Sequence, residues 1–127
     1  SPSVEGYISF GPNERYNFNV TFQTQYEKSK DLIEKVHKGI ESLAANGPTD
    51  EELTKTVESF KKTIPENKKR ISYFMNLIEE YYSWGKDMSD SDALINKNVT
   101  KETVQKMAQL LVNNKNRTEI VMNPKVK

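Results

Sequence analysis

Chemistry in a chain of 127 residues must come from few side chains here, because there is one histidine and no cysteine. Catalytic zinc takes about three protein ligands from His, Cys, Asp or Glu. His37 is followed by Lys38, and no carboxylate stands near it in a His-x-x-Glu-His arrangement. It is read as an exposed or packing histidine, and no residue is assigned to metal or to a cofactor. Ser29 and Ser42 lie near it in sequence, but neither sits in a Gly-x-Ser-x-Gly elbow. No catalytic residue is assigned either.

Carboxylates pair at Glu51-Glu52, Glu79-Glu80 and Asp90/Asp92. Adjacent positions on a helix point about 100° apart, so such pairs solvate a face more often than they share a proton. Asp87, Asp90 and Asp92 lack the glycine and terminal glutamate of a calcium loop. Lys61-Lys62 and Lys68-Lys69-Arg70 flank Pro65 and are offset by Glu58, Glu66 and Glu79. With 19 basic and 18 acidic residues, net charge is +1, and no global field draws nucleic acid to this chain. No nucleic-acid partner is expected. The triplets at Asn19, Asn98 and Asn116 match the glycosylation acceptor pattern, which also arises by chance.

The elements that hold these residues follow from periodicity. Val4–Phe10 and Tyr16–Gln23 alternate as strands around Gly11-Pro12-Asn13, and read as an antiparallel hairpin. Val4, Gly6, Ile8 and Phe10 share one face of the first strand. Tyr16, Phe18, Val20 and Phe22 share one face of the second. Glu27–Ala45 is a helix with a stripe of Leu32, Ile33, Val36, Ile40, Leu43 and Ala44. Asn46-Gly47-Pro48 stops it, and Thr49-x-x-Glu52 forms a capping box for the next helix.

That second helix, Asp50–Ile64, is expected to end or kink at Pro65. Helical spacing resumes over Glu66–Trp84 through Ile71, Phe74, Met75, Ile78 and Tyr82, widened by Tyr73, Leu77 and Tyr81. The aromatics from Tyr73 to Trp84 read equally as internal packing or as contact with further protein. Gly85–Lys97 reads as a loop with a short turn near Ala93–Ile95. Thr100 caps a helix over Lys101–Val112, Asn113–Asn116 is a turn, Thr118–Met122 is a final strand, and Pro124 ends the ordered chain. The expected class is α+β: an antiparallel sheet, hairpin plus C-terminal strand, with about four helices on one face. Such a sheet has an open edge, which invites a strand from further protein or from a second copy in a homo-oligomer.

Composition adds a constraint. With glycine counted and tyrosine left out, the apolar share is roughly a third, against about 45–50% in ordinary globular domains. A core this thin suits a piece that leans on more protein. The start at Ser1-Pro2-Ser3, without Met, leads to the same expectation. Residues 1–127 are therefore read as one incomplete domain. No run approaches the length of a membrane helix, and the absence of cysteine suits cytoplasm and bacterial periplasm or envelope alike.

In this order the pieces resemble the C-terminal domain of the pitrilysin/insulinase family of zinc peptidases. The resemblance rests on Tyr16-Asn-Phe-Asn-Val-Thr-Phe22, the Lys30–Ala45 helix and the Asn46–Leu53 junction. It continues through the aromatic helix Ile71–Trp84, the helix start Asn98–Val104 and the segment Thr118–Met122. It covers almost the whole chain, and its most specific part is the junction. It implies α+β repeats arranged around a chamber, a catalytic N-terminal repeat holding zinc, and C-terminal repeats without the zinc motif. The implied role is non-catalytic: to help enclose peptide substrate and to pack on the remainder of the parent peptidase, which holds the zinc. The family's substrate-contacting Arg and Tyr would fall upstream of Ser1. The alternative is a stand-alone interaction module that uses the aromatic helix and the open edge.

Overall fold

A computed structural model describes residues 2–114 and 116–123. Its class is α+β: among the described residues there are a two-stranded antiparallel hairpin and five α-helices. The chain divides into two units. One holds the residues up to Lys35 with those from Ile120 onward, and the other spans Val36–Glu119.

In the first unit, β1 (Ser3–Ser9) pairs with β2 (Arg15–Thr21). The register sets Val4 opposite Val20, Gly6 opposite Phe18 and Ile8 opposite Tyr16. The two apolar faces read from alternation thus coincide, because side chains alternate across a strand and one face gathers every second residue. Val4, Ile8, Tyr16 and Phe18 nonetheless remain exposed. The expected third strand does not form: residues 118–122 carry no strand pairing, and Ile120 and Met122 are exposed. So short a run cannot satisfy its own backbone and takes strand form only beside a partner. Pro124 lies outside the described residues, as does Lys115 in the expected turn.

A 3-10 turn, Tyr26–Lys28, leads into α1 (Ser29–Asn46), which crosses from the first unit into the second. Gly47 ends α1 at φ 71°, and its N–H donates to the Leu43 carbonyl at 2.9 Å. Only a residue without Cβ takes that left-handed conformation at little cost. α2 (Asp50–Asn67) then starts at the Thr49 cap. It runs through Pro65 instead of stopping there. Proline removes one N–H, but Pro65 sits in the last turn, and Lys68 N–H still reaches the Ile64 carbonyl at 2.9 Å. A turn over Lys68–Arg70 delays α3 to Ile71–Trp84. Gly85, at φ 64°, closes α3 by donating to the Tyr81 carbonyl at 2.9 Å.

The expected loop after Gly85 holds a full helix, α4 (Ser91–Asn98), started by Asp90, whose carboxylate accepts from the Ala93 N–H at 3.0 Å. Thr100 caps α5 (Lys101–Asn113) in a second capping box with Thr103. The core of this unit is small. Among the described residues Ala44, Ile95 and Ala108, from α1, α4 and α5, are its buried hydrophobics, and no large side chain is fully enclosed.

Candidate functional site

The Asn46–Glu52 junction is the best-built locus in the second unit. Thr49 accepts from the Glu52 N–H at 3.2 Å, and the Glu52 carboxylate accepts from the Thr49 N–H at 2.9 Å and from its hydroxyl at 2.8 Å. These bonds hold the Glu52 carboxyl below its ordinary value, the Thr49 backbone N–H first and the hydroxyl second. On the other side of Gly47, α5 covers the end of α1. Gln105 donates to the Ala45 carbonyl at 2.8 Å and to Ala44 at 3.2 Å, and Gln109 donates to Ala44 at 3.1 Å. The last carbonyls of a helix have no intrahelical partner, and the two glutamine amides supply one. Sequence reasoning did not find this, because a glutamine on a helix face carries no sign of which distant carbonyl it will meet.

His37 is also engaged beyond what its sequence context implied. Glu119 Oε1 lies 2.6 Å from its Nε2, and Arg117 Nη1 lies 3.2 Å from its Nδ1. A guanidinium only donates, so Nδ1 accepts, and Nε2 carries the proton and donates to Glu119. The arrangement pins residues 117–119 to α1. It does not make a nucleophile–base pair: the Ser29 hydroxyl donates to the Tyr26 carbonyl at 2.7 Å, and the Ser42 hydroxyl accepts from the Asn46 amide at 3.4 Å.

Three of the paired carboxylates serve local structure. Glu51 bonds Lys55 at 2.6 Å, Glu52 completes the cap and Asp90 starts α4. Asp87 accepts from the Ser89 hydroxyl at 2.6 Å and its N–H at 3.0 Å, which lowers its carboxyl, the hydroxyl contributing more. Asp87, Ser89, Asp90, Ala93, Leu94 and Lys97 line an open hollow of about 280 Å³. Lys61, Lys62, Lys68, Lys69 and Arg70 are exposed around the end of α2, and Lys69 pairs with Glu66 at 2.7 Å. Among the described residues, no group of three or more His, Cys, Asp or Glu is placed to hold a metal ion. Nor is any described helix long and apolar enough to cross a membrane.

α3 carries more exposed large hydrophobic side chains than any other described element. Tyr73, Leu77 and Glu80 make its half-buried face. The stripe of Ile71, Phe74, Met75, Ile78 and Tyr82 is exposed, with Ile71 80% and Tyr82 82% accessible. Periodicity found the stripe but not its direction. Leu77 and Tyr73, read as widening it, are the residues turned to the protein, and the stripe itself faces solvent. A helix that is apolar nearly all round gives no single answer to which side is inside.

No family model matches the chain, and searches of curated proteins and of solved structures return no significant match.

Proposed function

We propose that this chain is a non-catalytic C-terminal segment of a pitrilysin/insulinase-type zinc peptidase. It packs on the rest of the parent through α3 and helps wall the chamber that holds peptide substrate. The observation that carries the reading is the α3 stripe: five large apolar side chains from Ile71 to Tyr82 stay accessible, beside a core whose buried hydrophobics are Ala44, Ile95 and Ala108. Contiguous apolar surface of that kind marks contact with protein. The choice of parent comes from the motif order described above, above all the Asn46–Leu53 junction. The zinc, and the glutamate that activates its bound water for peptide hydrolysis, belong to another part of the parent. Among the described residues, β1 and β2 pair only with each other, so each keeps an outer edge that an extended peptide or a strand of the parent fits.

The stand-alone interaction module uses the same stripe and is separated by what covers it. The test is oxidative footprinting of Met75 and Tyr82 in the native protein captured from its source cells, compared with the 127-residue chain alone. Protection in the native protein by a zinc-bearing polypeptide, covalently continuous or not, supports the proposal. Protection by a metal-free partner supports the module, and equal labelling in both samples removes both readings.

A further inference from the structure

The sequence holds one Asn-Gly pair, Asn46-Gly47, and it sits at the end of α1. Asparagine followed by glycine is the pair most prone to succinimide formation, because no side chain obstructs the approach of the glycine nitrogen. The Gly47 nitrogen, having lost its proton, attacks Cγ of Asn46. The N–Cγ bond forms, the Cγ–Nδ2 bond breaks, and ammonia leaves with a proton. Water then opens the ring at Cγ to give aspartate, or at the backbone carbonyl to give isoaspartate. No oxidant or reductant takes part, and water is the only co-reactant.

In the folded chain Asn46 is exposed, but the attacking nitrogen and the departing amide both have partners. The Gly47 N–H is held by the Leu43 carbonyl at 2.9 Å, and the Asn46 amide donates to the Ser42 hydroxyl at 3.4 Å. Asn46 is still helical, a conformation that points its side chain back along the helix and away from the following nitrogen. Gly47 is covered from above: a Cβ there would meet Lys101 Cγ at 3.2 Å and Gln105 Cβ at 3.6 Å. Gln105 and Gln109 hold the carbonyls of Ala44 and Ala45 just before it.

We infer that Asn46 is a deamidation site gated by local opening of the α1–α5 contact, protected while α5 grips the end of α1 and reactive once it lets go. The product does not fit back. Isoaspartate carries the main chain through its β-carbon, which lengthens the backbone at the point where the Gly47 N–H must reach Leu43 and where Thr49 must cap α2. A molecule that has opened for long enough is therefore permanently marked.

The test is peptide mapping by mass spectrometry of the 127-residue chain, incubated folded at mildly alkaline pH and, in parallel, in guanidinium chloride. In the denatured chain Asn46 should convert ahead of the other asparagines. In the folded chain it should convert at about a tenth of that rate or below, a tenfold ratio being equivalent to about 1.4 kcal/mol of local opening. Gln105→Ala with Gln109→Ala should raise the folded rate toward the denatured one. Where that double variant fails to fold, hydrogen exchange of the wild-type Gly47 amide serves instead, and its protection factor should match the rate ratio. Equal rates in folded and denatured wild type overturn the inference. So does a well-folded double variant that reacts no faster, or a Gly47 protection factor unrelated to the ratio.

Discussion

Replacing Thr49 with Ala tests the structural account where it is most specific. The hydroxyl makes two of the contacts in the first capping box, accepting from the Glu52 N–H at 3.2 Å and donating to its carboxylate at 2.8 Å. The third, from the Thr49 N–H to Glu52 at 2.9 Å, survives the substitution. The site is exposed, so water replaces what is lost, and the cost should fall at about 1 kcal/mol, the middle of the range for N-caps. For a chain of this length that lowers Tm by roughly 4 °C. The assay is thermal and urea unfolding followed by far-UV circular dichroism, at neutral pH and in acid. The sign of the pH effect is fixed. The folded-state carboxyl of Glu52 lies below its ordinary 4.5, so its contribution is present above that value and is lost as pH falls through the folded value. The gap between wild type and Thr49→Ala should therefore narrow in acid. Glu52→Gln, which keeps an acceptor but cannot titrate, should flatten the acid limb. An unchanged Tm, or a gap that widens in acid, would refute the reasoning.

Gly47→Ala and Gly85→Ala both place a side chain at positive φ, but the first also drives Cβ to 3.2 Å from Lys101 Cγ while the second meets nothing within 4 Å. Both should destabilise by about 1 kcal/mol or more, with Gly47→Ala the worse in urea melts. Ala108→Leu inserts bulk at a position 3% accessible and should cost roughly 1–3 kcal/mol, measured in the same melts. Ile78→Glu, on the exposed stripe, should leave the helical signal of the isolated chain intact while reducing binding of a hydrophobic dye and any self-association seen by light scattering.

What was legible in the sequence was local. Alternation placed both strands and their shared face. Thr49, Glu52 and Thr100 announced the helix starts, and Gly47 announced a stop. The capping and stop signals act within a few residues of themselves, and the hairpin strands lie close enough in sequence to find each other. Three readings depended on more than local chemistry. Pro65 lies inside α2, which continues past it only to Asn67. α4 was hidden because Asp-Met-Ser-Asp-Ser-Asp looks like a loop until Asp90 is seen to cap it. The strand over Thr118–Met122 has the right residues but no partner strand here. The contacts to His37 from Arg117 and Glu119, and those from Gln105 and Gln109 to the end of α1, join positions far apart in sequence, which no pattern of spacing reveals. The α3 stripe was seen but its outward direction was not, because apolar residues lie on both sides of that helix.

The most direct test of the proposed role is the size and metal content of the native protein, captured from its source cells with an antibody against this segment. The account predicts a much larger zinc-containing polypeptide that cleaves peptides, or a small one held tightly by such a subunit. A free, metal-free protein no longer than these 127 residues would contradict it.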